Sequence, residues 1–132
     1  MTPEALVVGV GLRPRSDAAA LEALLATALD GLCWASVRAV GTLDGRAAAP
    51  ALVAVATGLG WRVLSYPAAR LAQLPAPNPS STVAAAVGTP SVAEAAALLG
   101  AAELGATAAR LVVAKLSGVG CTAAVAGWRL PG

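Results

Sequence analysis

A continuous apolar run close to the start of the chain restricts the possible folds more than any other feature. Residues 5–10, Ala-Leu-Val-Val-Gly-Val, contain no polar side chain, which is typical of a strand buried on both faces of a sheet. Helices must cover both faces of such a sheet. Because 132 residues are enough to bury this core within one domain, we expect residues 1–132 to form a single three-layer α/β domain.

Four further runs are predicted to be strands of the same sheet. Residues 37–43 and 62–66 alternate with helical segments, as the strands of a mostly parallel sheet do. Residues 110–115 and 121–126 flank the turn Ser117-Gly118-Val119-Gly120, and this spacing predicts an antiparallel β-hairpin. The predicted fold is therefore α/β, with a mostly parallel sheet, helices on both faces and an antiparallel hairpin at the C-terminal end.

Three segments between the strands carry helical signals. Ser16 is predicted to cap a helix that ends near Gly31, and Pro50 is predicted to open a second helix that Gly60 ends. A brief helix is expected over residues 67–74, before a proline-rich loop at residues 75–80. The apolar face of the first helix recurs at helical spacing and consists of Leu21, Leu24, Leu25, Ala28 and Leu29.

The segment Gly88-Thr89-Pro90-Ser91 contains a nearly complete helix start. Pro90 cannot donate a backbone hydrogen bond, Ser91 occupies the N-cap position, and Glu94 three residues later completes a capping box. The free N–H groups of such an end can bind a carboxylate or phosphate, although helix capping alone also explains this spacing. The predicted helix extends to about Leu99, and its expected buried face is Val92, Ala95, Ala96 and Leu99.

The composition excludes several classes of protein. Apolar residues make up 58% of the chain and charged residues 12%, which excludes intrinsic disorder. The longest uncharged run, residues 71–93, contains four prolines and cannot form a membrane span. The N-terminus lacks the basic region of a signal peptide, so we expect a cytoplasmic protein. A net charge of +2 without clustered basic or aromatic residues argues against nucleic-acid binding.

The side-chain inventory also restricts the chemistry. The chain has no histidine, which excludes Ser-His-Asp and Cys-His catalysis and removes the commonest zinc and haem ligands. Cys33 and Cys121 are far apart in sequence and are predicted to be buried, reduced thiols. Gly9-Val10-Gly11 begins a dinucleotide fingerprint, but Pro14 stands where the third glycine belongs. We therefore expect neither a metal site nor a cofactor.

Three groups of polar residues are candidate binding sites. Arg13 and Arg15 precede the first predicted helix and form either an anion site or a solvated pair. Asp44 and Arg46 form either an exposed turn with a local ion pair or part of a ligand site at the carboxyl end of a strand. The third group consists of Lys115, Ser117 and Gly118. It is either a binding site that combines a cation, a hydroxyl and a flexible backbone, or the end of an ordinary hairpin.

Taken together, four segments resemble the CobE/CbiG C-terminal family of cobalamin biosynthesis. The family pattern contains GxGCRRG, then T-I-D-x-K, then P-N-P-S with V-G-T-P-S-V-A-E-A-A-A, then K-x-S. This chain has similar segments in the same order over essentially its whole length, and the Gly-Thr-Pro-Ser helix start is the most specific of them. The matching segments are residues 9–15, 41–46, 77–80 with 87–97, and 115–118.

Departures from the family pattern alter the expected chemistry of the first loop. Leu12 replaces the family cysteine, which removes a thiol-dependent role there, and Pro14 replaces the second arginine. Arg46 stands where the family has lysine, so cationic character is retained at Arg13, Arg15 and Arg46. The larger N-terminal region of CbiG has no counterpart in the chain, and we therefore expect a stand-alone CobE-like protein.

The resemblance implies binding of a corrin-ring (precorrin) intermediate, whose acetate and propionate groups surround an apolar macrocycle. Cations and helix N-termini suit such a ligand. Two alternatives remain open: a hydrolase that opens a precorrin lactone as CbiG does, with Asp44 or Glu94 as acid or base, and a non-catalytic subunit that docks on other cobalamin-pathway enzymes. The ligand-binding residues that the resemblance implies are Gly11, Arg13, Arg15, Asp44, Arg46, Thr89, Ser91, Lys115 and Ser117.

Overall fold

One mixed β-sheet brings segments that are distant in sequence to a common edge. The computed structural model describes residues 4–73 and 91–130. Within these residues five strands form a sheet in the order β3-β2-β1-β5-β4. The strands are β1 (Glu4–Leu12), β2 (Val37–Leu43), β3 (Arg62–Tyr66), β4 (Arg110–Ser117) and β5 (Cys121–Arg129).

The strand directions define two different edges of this sheet. β1, β2 and β3 pair in parallel, whereas β5 pairs antiparallel with both β1 and β4. β4 therefore runs in the same direction as β1, and the ends of β1 to β4 meet the start of β5 at one edge, here named the carboxyl edge. The opposite edge is the amino edge. The predicted α/β class is confirmed, and β4 and β5 form the antiparallel pair.

Helices pack on both faces of the sheet. The described residues contain α1 (Ala18–Ala28), α2 (Pro50–Leu59), α3 (Ala68–Ala72) and α4 (Val92–Glu103), with 3₁₀ turns at Trp34–Ser36 and Asp44–Arg46. On one face, Leu21 of α1 and Leu52 of α2 are buried in a cluster with Val8 of β1. On the other face, Ala95 of α4 packs with Ala39 of β2. The predicted apolar stripe of α1 is confirmed, because its leucines form the first cluster.

Helix α4 touches the sheet backbone directly. A Cβ atom built on Gly9 would collide with the carbonyl oxygen of Ala93, and one built on Gly41 would lie 2.8 Å from the carbonyl oxygen of Ala96. Real Cβ atoms do not approach backbone oxygens so closely. Glycine is therefore required at both strand positions, and α4 lies across β1 and β2 with its N-terminus at the carboxyl edge.

Several boundaries agree with the sequence patterns. β2 and β3 have the predicted limits, and α2 begins at Pro50. Gly60 ends α2 with a left-handed φ of +72°, a conformation that glycine adopts without steric cost. The predicted loop at residues 75–80 and the segment Gly88–Pro90 lie outside the described residues.

Two predictions are wrong: that Ser16 caps α1 and that Cys33 is buried. Asp17, not Ser16, is the N-cap residue of α1, and its side chain makes no capping hydrogen bond. Ser16 instead lies 2.7 Å from the carbonyl oxygen of Gly120, so its hydroxyl serves the hairpin rather than the helix. Cys33 is exposed rather than buried, because it lies before the 3₁₀ turn at Trp34–Ser36 and outside the sheet, whereas Cys121 is buried as predicted.

The predicted face and length of α4 also need correction. Val92 is 38% exposed rather than buried, because it lies in the first turn of α4, where the helix borders the open cleft. Ala95, Ala96 and Leu99 are buried as predicted, but further alanines on either side of them are buried as well. A helix rich in alanine therefore gives hydrophobic periodicity little to distinguish one face from another. The helix continues past Leu99 to Glu103, since Gly100 packs against Val7 within the helix.

We expect Gly9→Ala to lower the free energy of unfolding by about 1–3 kcal/mol or more, because the added methyl must displace the backbone of α4. Urea unfolding followed by circular dichroism measures the change. Gly58→Ala is the matched control: Gly58 lies within α2 with no neighbouring atom in reach, so alanine should raise the stability by about 0.5–1 kcal/mol. Equal effects at the two positions would contradict the backbone contact.

Candidate functional site

A cleft of about 450 Å³ opens at the carboxyl edge of the sheet. Open α/β sheets bind ligands at this edge, where backbone groups at strand ends and a helix N-terminus become accessible. Here the ends of β1, β2 and β4, the start of β5 and the first residues of α4 form the walls. The site is thus assembled from four separate parts of the chain.

Basic side chains from three elements enter the cleft. Arg13 follows β1, Arg46 belongs to the 3₁₀ turn after β2, and Lys115 lies near the end of β4. Arg46 is half-buried, and its Nε donates a hydrogen bond to the carbonyl oxygen of Leu12 at 3.0 Å. That bond fixes the plane of the guanidinium while its two terminal nitrogens make no hydrogen bond to the described residues.

The loop after β1 is tied to the turn between β4 and β5. The N–H of Arg13 lies 3.1 Å from the carbonyl oxygen of Gly120 and donates to it. The Ser16 hydroxyl oxygen lies 2.8 Å from the carbonyl oxygen of Arg13 and 2.7 Å from that of Gly120, and its proton is shared between them. These bonds set the width of the cleft between the first loop and the hairpin.

A capping network connects the start of α4 to β4. The N–H of Glu94 donates to Ser91 Oγ at 3.0 Å, which confirms Ser91 as the N-cap. The Glu94 carboxylate accepts from the Ser91 hydroxyl at 3.1 Å and from the N–H of Lys115 at 3.2 Å. Glu94 therefore bridges the helix N-terminus and the strand that carries Lys115.

Small polar and apolar residues form the floor. Thr42 is fully buried, and its hydroxyl donates to the carbonyl oxygen of Val10 at 2.9 Å. Thr122 lies opposite Gly11 in the β1–β5 register, where a Cβ on Gly11 would come within 2.5 Å of Thr122 Oγ1. Burial raises the pKa of the Cys121 thiol, so this cleft residue is a neutral thiol at pH 7 rather than a reactive thiolate.

The structure brings most of the predicted site residues together. Those that line the cleft are Gly11, Arg13, Arg46, Ser91, Lys115 and Ser117. Arg15 and Asp44 are exposed beside the cleft and do not line it. Thr89 lies outside the described residues. The local ion pair considered for Asp44 and Arg46 does not form, because Arg46 is turned toward Leu12.

Other lining residues were not found by sequence reasoning. Thr42 reads as an ordinary strand residue, and Thr122 reaches the site only through the antiparallel pairing of β5 with β1. The closing glycine Gly120 carries a left-handed φ of +73°, which a turn between two strands allows. The Ser-Gly-Val-Gly turn was the one sequence signal for these hairpin residues. It did not place them in the cleft, because that depends on β5 lying next to β1 in the sheet.

Among the described residues, no three His, Cys, Asp or Glu side chains gather where they could hold a metal ion. No described helix is both long and apolar enough to cross a membrane.

The fold and the site together define an α/β domain with a cationic cleft at the carboxyl edge of a mixed sheet. Residues 6–126 match the protein family described as cobalamin synthesis G C-terminus. Protein CobE of Sinorhizobium sp is 38% identical over 126 residues, which cover 92% of this chain and 79% of that protein. The chain belongs to the cobalamin synthesis G C-terminus family and is a cobalamin biosynthesis protein of the CobE/CbiG type.

Solved structures of related proteins share this fold. The crystal structure of CobE, from the cobalamin (vitamin B12) biosynthetic pathway, superposes with a TM-score of 0.75 at 36% identity, covering 98% of this chain and 92% of that one. Cobalamin biosynthesis protein chiG from Agrobacterium tumefaciens str. C58 gives 0.69 at 29% identity, with coverage of 92% and 97%. A cobalamin biosynthesis protein G homolog from Sulfolobus solfataricus gives 0.70 at 16% identity, covering 96% of this chain and 37% of that one, and shares the fold alone.

The two cysteines should differ in reactivity. Hydrogen bonds from Ser36 lower the pKa of the exposed Cys33, whereas burial raises that of Cys121. At pH 7.5 we expect iodoacetamide to modify Cys33 at least about tenfold faster than Cys121, because the thiolate is the reactive species. Mass spectrometry of digested protein measures both rates, and Ser36→Ala should slow the modification of Cys33 alone. Equal rates in the folded protein would contradict the described environments.

Proposed function

We propose that the cleft binds a corrin-ring intermediate of cobalamin biosynthesis through the carboxylates of its acetate and propionate side chains, as a non-catalytic binding or carrier protein. One observation carries the proposal: Arg13, Arg46 and Lys115 converge on a single cleft, and none of their side chains pairs with a carboxylate in the described part of the chain. All seven acidic side chains of the protein lie among the described residues, and the one ion pair that they form joins Glu4 to Arg110. The positive charge of the cleft is thus available to a ligand.

The geometry of Arg46 supports recognition of carboxylates in particular. Its guanidinium is held by the Leu12 carbonyl through Nε, which leaves the terminal nitrogens in a fork that matches a carboxylate. Charge-assisted hydrogen bonds of this kind are among the strongest in proteins. Because the side chain is already ordered, less conformational entropy is lost on binding. We propose that Arg46 is the principal anchor, with Arg13 and Lys115 pairing with neighbouring carboxylates.

The apolar part of the cleft suits the rest of such a ligand. Leu12, Leu43 and Val92 lie in the same walls as the cations, and Val92 exposes 38% of its surface there. An apolar macrocycle rimmed by carboxylates presents the complementary pattern. Family membership supports this ligand class, since the related proteins carry names from cobalamin biosynthesis.

A second candidate function is hydrolysis of a precorrin lactone. The contact that favours it is the one between the Ser91 hydroxyl and Glu94 in the cleft wall, which has the form of a nucleophile beside a base. The other bonds of this pair are those of a helix cap, because Ser91 Oγ accepts from the Glu94 N–H and Glu94 accepts from the Lys115 N–H. Because Ser91 and Glu94 are already engaged in capping α4 and in binding the backbone of β4, these hydrogen bonds support the binding proposal rather than the hydrolase.

The binding proposal predicts a saturable change in the absorbance spectrum of hydrogenobyrinic acid when protein is added. Arg46→Ala should weaken binding by at least about tenfold, since a hydrogen bond to a charged group contributes about 1.5–3 kcal/mol. Arg129→Ala is the matched control, because Arg129 is exposed at the amino edge and should leave binding unchanged. The fully esterified ligand should not bind.

The results that would overturn the proposal are equally specific. An unchanged spectrum with no measurable binding would exclude this ligand class, and equal affinity for the acid and its ester would exclude recognition through carboxylates. Equal losses for Arg46→Ala and Arg129→Ala would mean that only the overall charge matters.

The hydrolase is tested separately by incubating the protein with a lactone-containing precorrin. Opening of the lactone releases acetaldehyde, which a coupled alcohol dehydrogenase assay detects. We expect none above the protein-free rate. Release of acetaldehyde by the protein and its loss in Glu94→Gln would instead establish the second candidate.

A further inference from the structure

A second groove, of about 410 Å³, lies at the amino edge of the sheet, on the opposite side of the molecule from the cleft. The starts of β2 and β3 and the ends of β5 and α4 form it. We name it the amino-edge groove, and its lining residues are Arg38, Arg62, Leu104, Trp128 and Leu130.

The groove has a cationic rim without acidic partners. Arg38 and Arg62 are both exposed, and neither forms an ion pair, although every Asp and Glu of the chain lies among the described residues. The Glu103 carboxylate accepts a hydrogen bond from the Tyr66 hydroxyl at 2.7 Å and forms no ion pair with either arginine. Strands β2 and β3 thus present two guanidinium groups that pair with no carboxylate among residues 4–73 and 91–130.

The floor of the groove is apolar. Trp128 is 6% exposed and packs in the cluster that joins β1, β5 and α4. Leu104 and Leu130, both half-buried, flank it. Tryptophan and arginine are both enriched at protein–protein interfaces, and here the exposed edge of Trp128 lies in the groove with Arg38 and Arg62. An occupant of this groove must therefore combine apolar side chains with negative charge.

We propose that the amino-edge groove is the docking surface for an acidic segment of a protein partner, in which an apolar side chain contacts Trp128 and adjacent carboxylates pair with Arg38 and Arg62. The extent of the groove argues for a polypeptide. From Arg62 on β3 to Trp128 on β5 there are three inter-strand spacings, or about 14 Å, which is more than a single small carboxylate covers. Because the groove and the cleft lie at opposite edges, a partner could dock while the cleft stays open.

The proposal is tested with a defined probe, the peptide acetyl-Asp-Glu-Leu-Asp-Glu-Leu-Asp-amide, and with the full-length ¹⁵N-labelled protein. Three indole N–H signals report on the three tryptophans, and Trp128→Phe assigns the relevant one. We expect a saturable shift of the Trp128 signal, with the signals of Trp34 and Trp61 unchanged. A peptide with serine in place of both leucines should bind at least about tenfold more weakly, because serine removes the apolar surface that the leucines bury against the groove.

Two charge reversals of equal size separate local from long-range effects. Arg38→Glu with Arg62→Glu should abolish the Trp128 shift, whereas Arg13→Glu with Arg15→Glu, at the opposite edge, should preserve it. Circular dichroism checks that both variants are folded, and Arg38→Gln with Arg62→Gln replaces the first variant if it is not. The proposal is overturned if the Trp128 signal does not move or if both reversals weaken peptide binding equally. It is also overturned if citrate alone causes the same shift of the Trp128 signal and displaces the peptide.

Discussion

Direct contact between the backbone of α4 and the backbones of β1 and β2 is the constraint on which the rest of this structure depends. At Gly9 and Gly41 no side chain separates helix from sheet, and the helix meets them with Ala93 and Ala96. This close approach fixes both the direction and the height of α4 above the sheet. The N-terminus of the helix consequently lies at the carboxyl edge, where the ends of the parallel strands expose their last residues.

The cleft follows from that placement, and hydrogen bonds between distant segments maintain it. Glu94 joins the start of α4 to the backbone of Lys115, and Ser16 joins the first loop to Gly120. Arg46 is held against the end of β1 by the Leu12 carbonyl. Each bond uses a polar group that would otherwise lack a partner at a strand or helix end. A cationic surface with an ordered arginine results, and this supports the proposal that the cleft binds a carboxylate-rich ligand.

Local sequence patterns were sufficient to predict the strands and most helix ends. Continuous apolar runs identified β1 and β2, and Pro50 with Gly60 delimited α2, because these signals act through backbone conformation over a few residues. Alanine-rich α4 was predicted less well: its alanines do not mark a single face, and Val92 proved exposed. Prediction failed at Ser16 because its hydroxyl bonds to a residue 104 positions away.

In the candidate site too, residues marked by local sequence could be predicted, whereas those placed by distant strand pairing could not. Arg13 and Arg46 could be predicted because each follows a strand whose end lies at the carboxyl edge, and Lys115 because it lies next to the hairpin turn in a segment that resembles the family pattern. Thr122 could not, since it reaches the cleft only through the register of β5 against β1. Long-range pairing of this kind is not encoded in local spacing.

A crystal structure of the protein with hydrogenobyrinic acid would show whether the cations of the cleft hold the carboxylates of a corrin-ring ligand. We expect ligand carboxylate oxygens within hydrogen-bonding distance, about 2.7–3.2 Å, of the Arg46 terminal nitrogens and of Lys115 Nζ, with the macrocycle against Leu12 and Val92. A ligand bound elsewhere on the protein, or one seated in the cleft with its carboxylates directed into solvent, would show that these cations do not recognise the ligand.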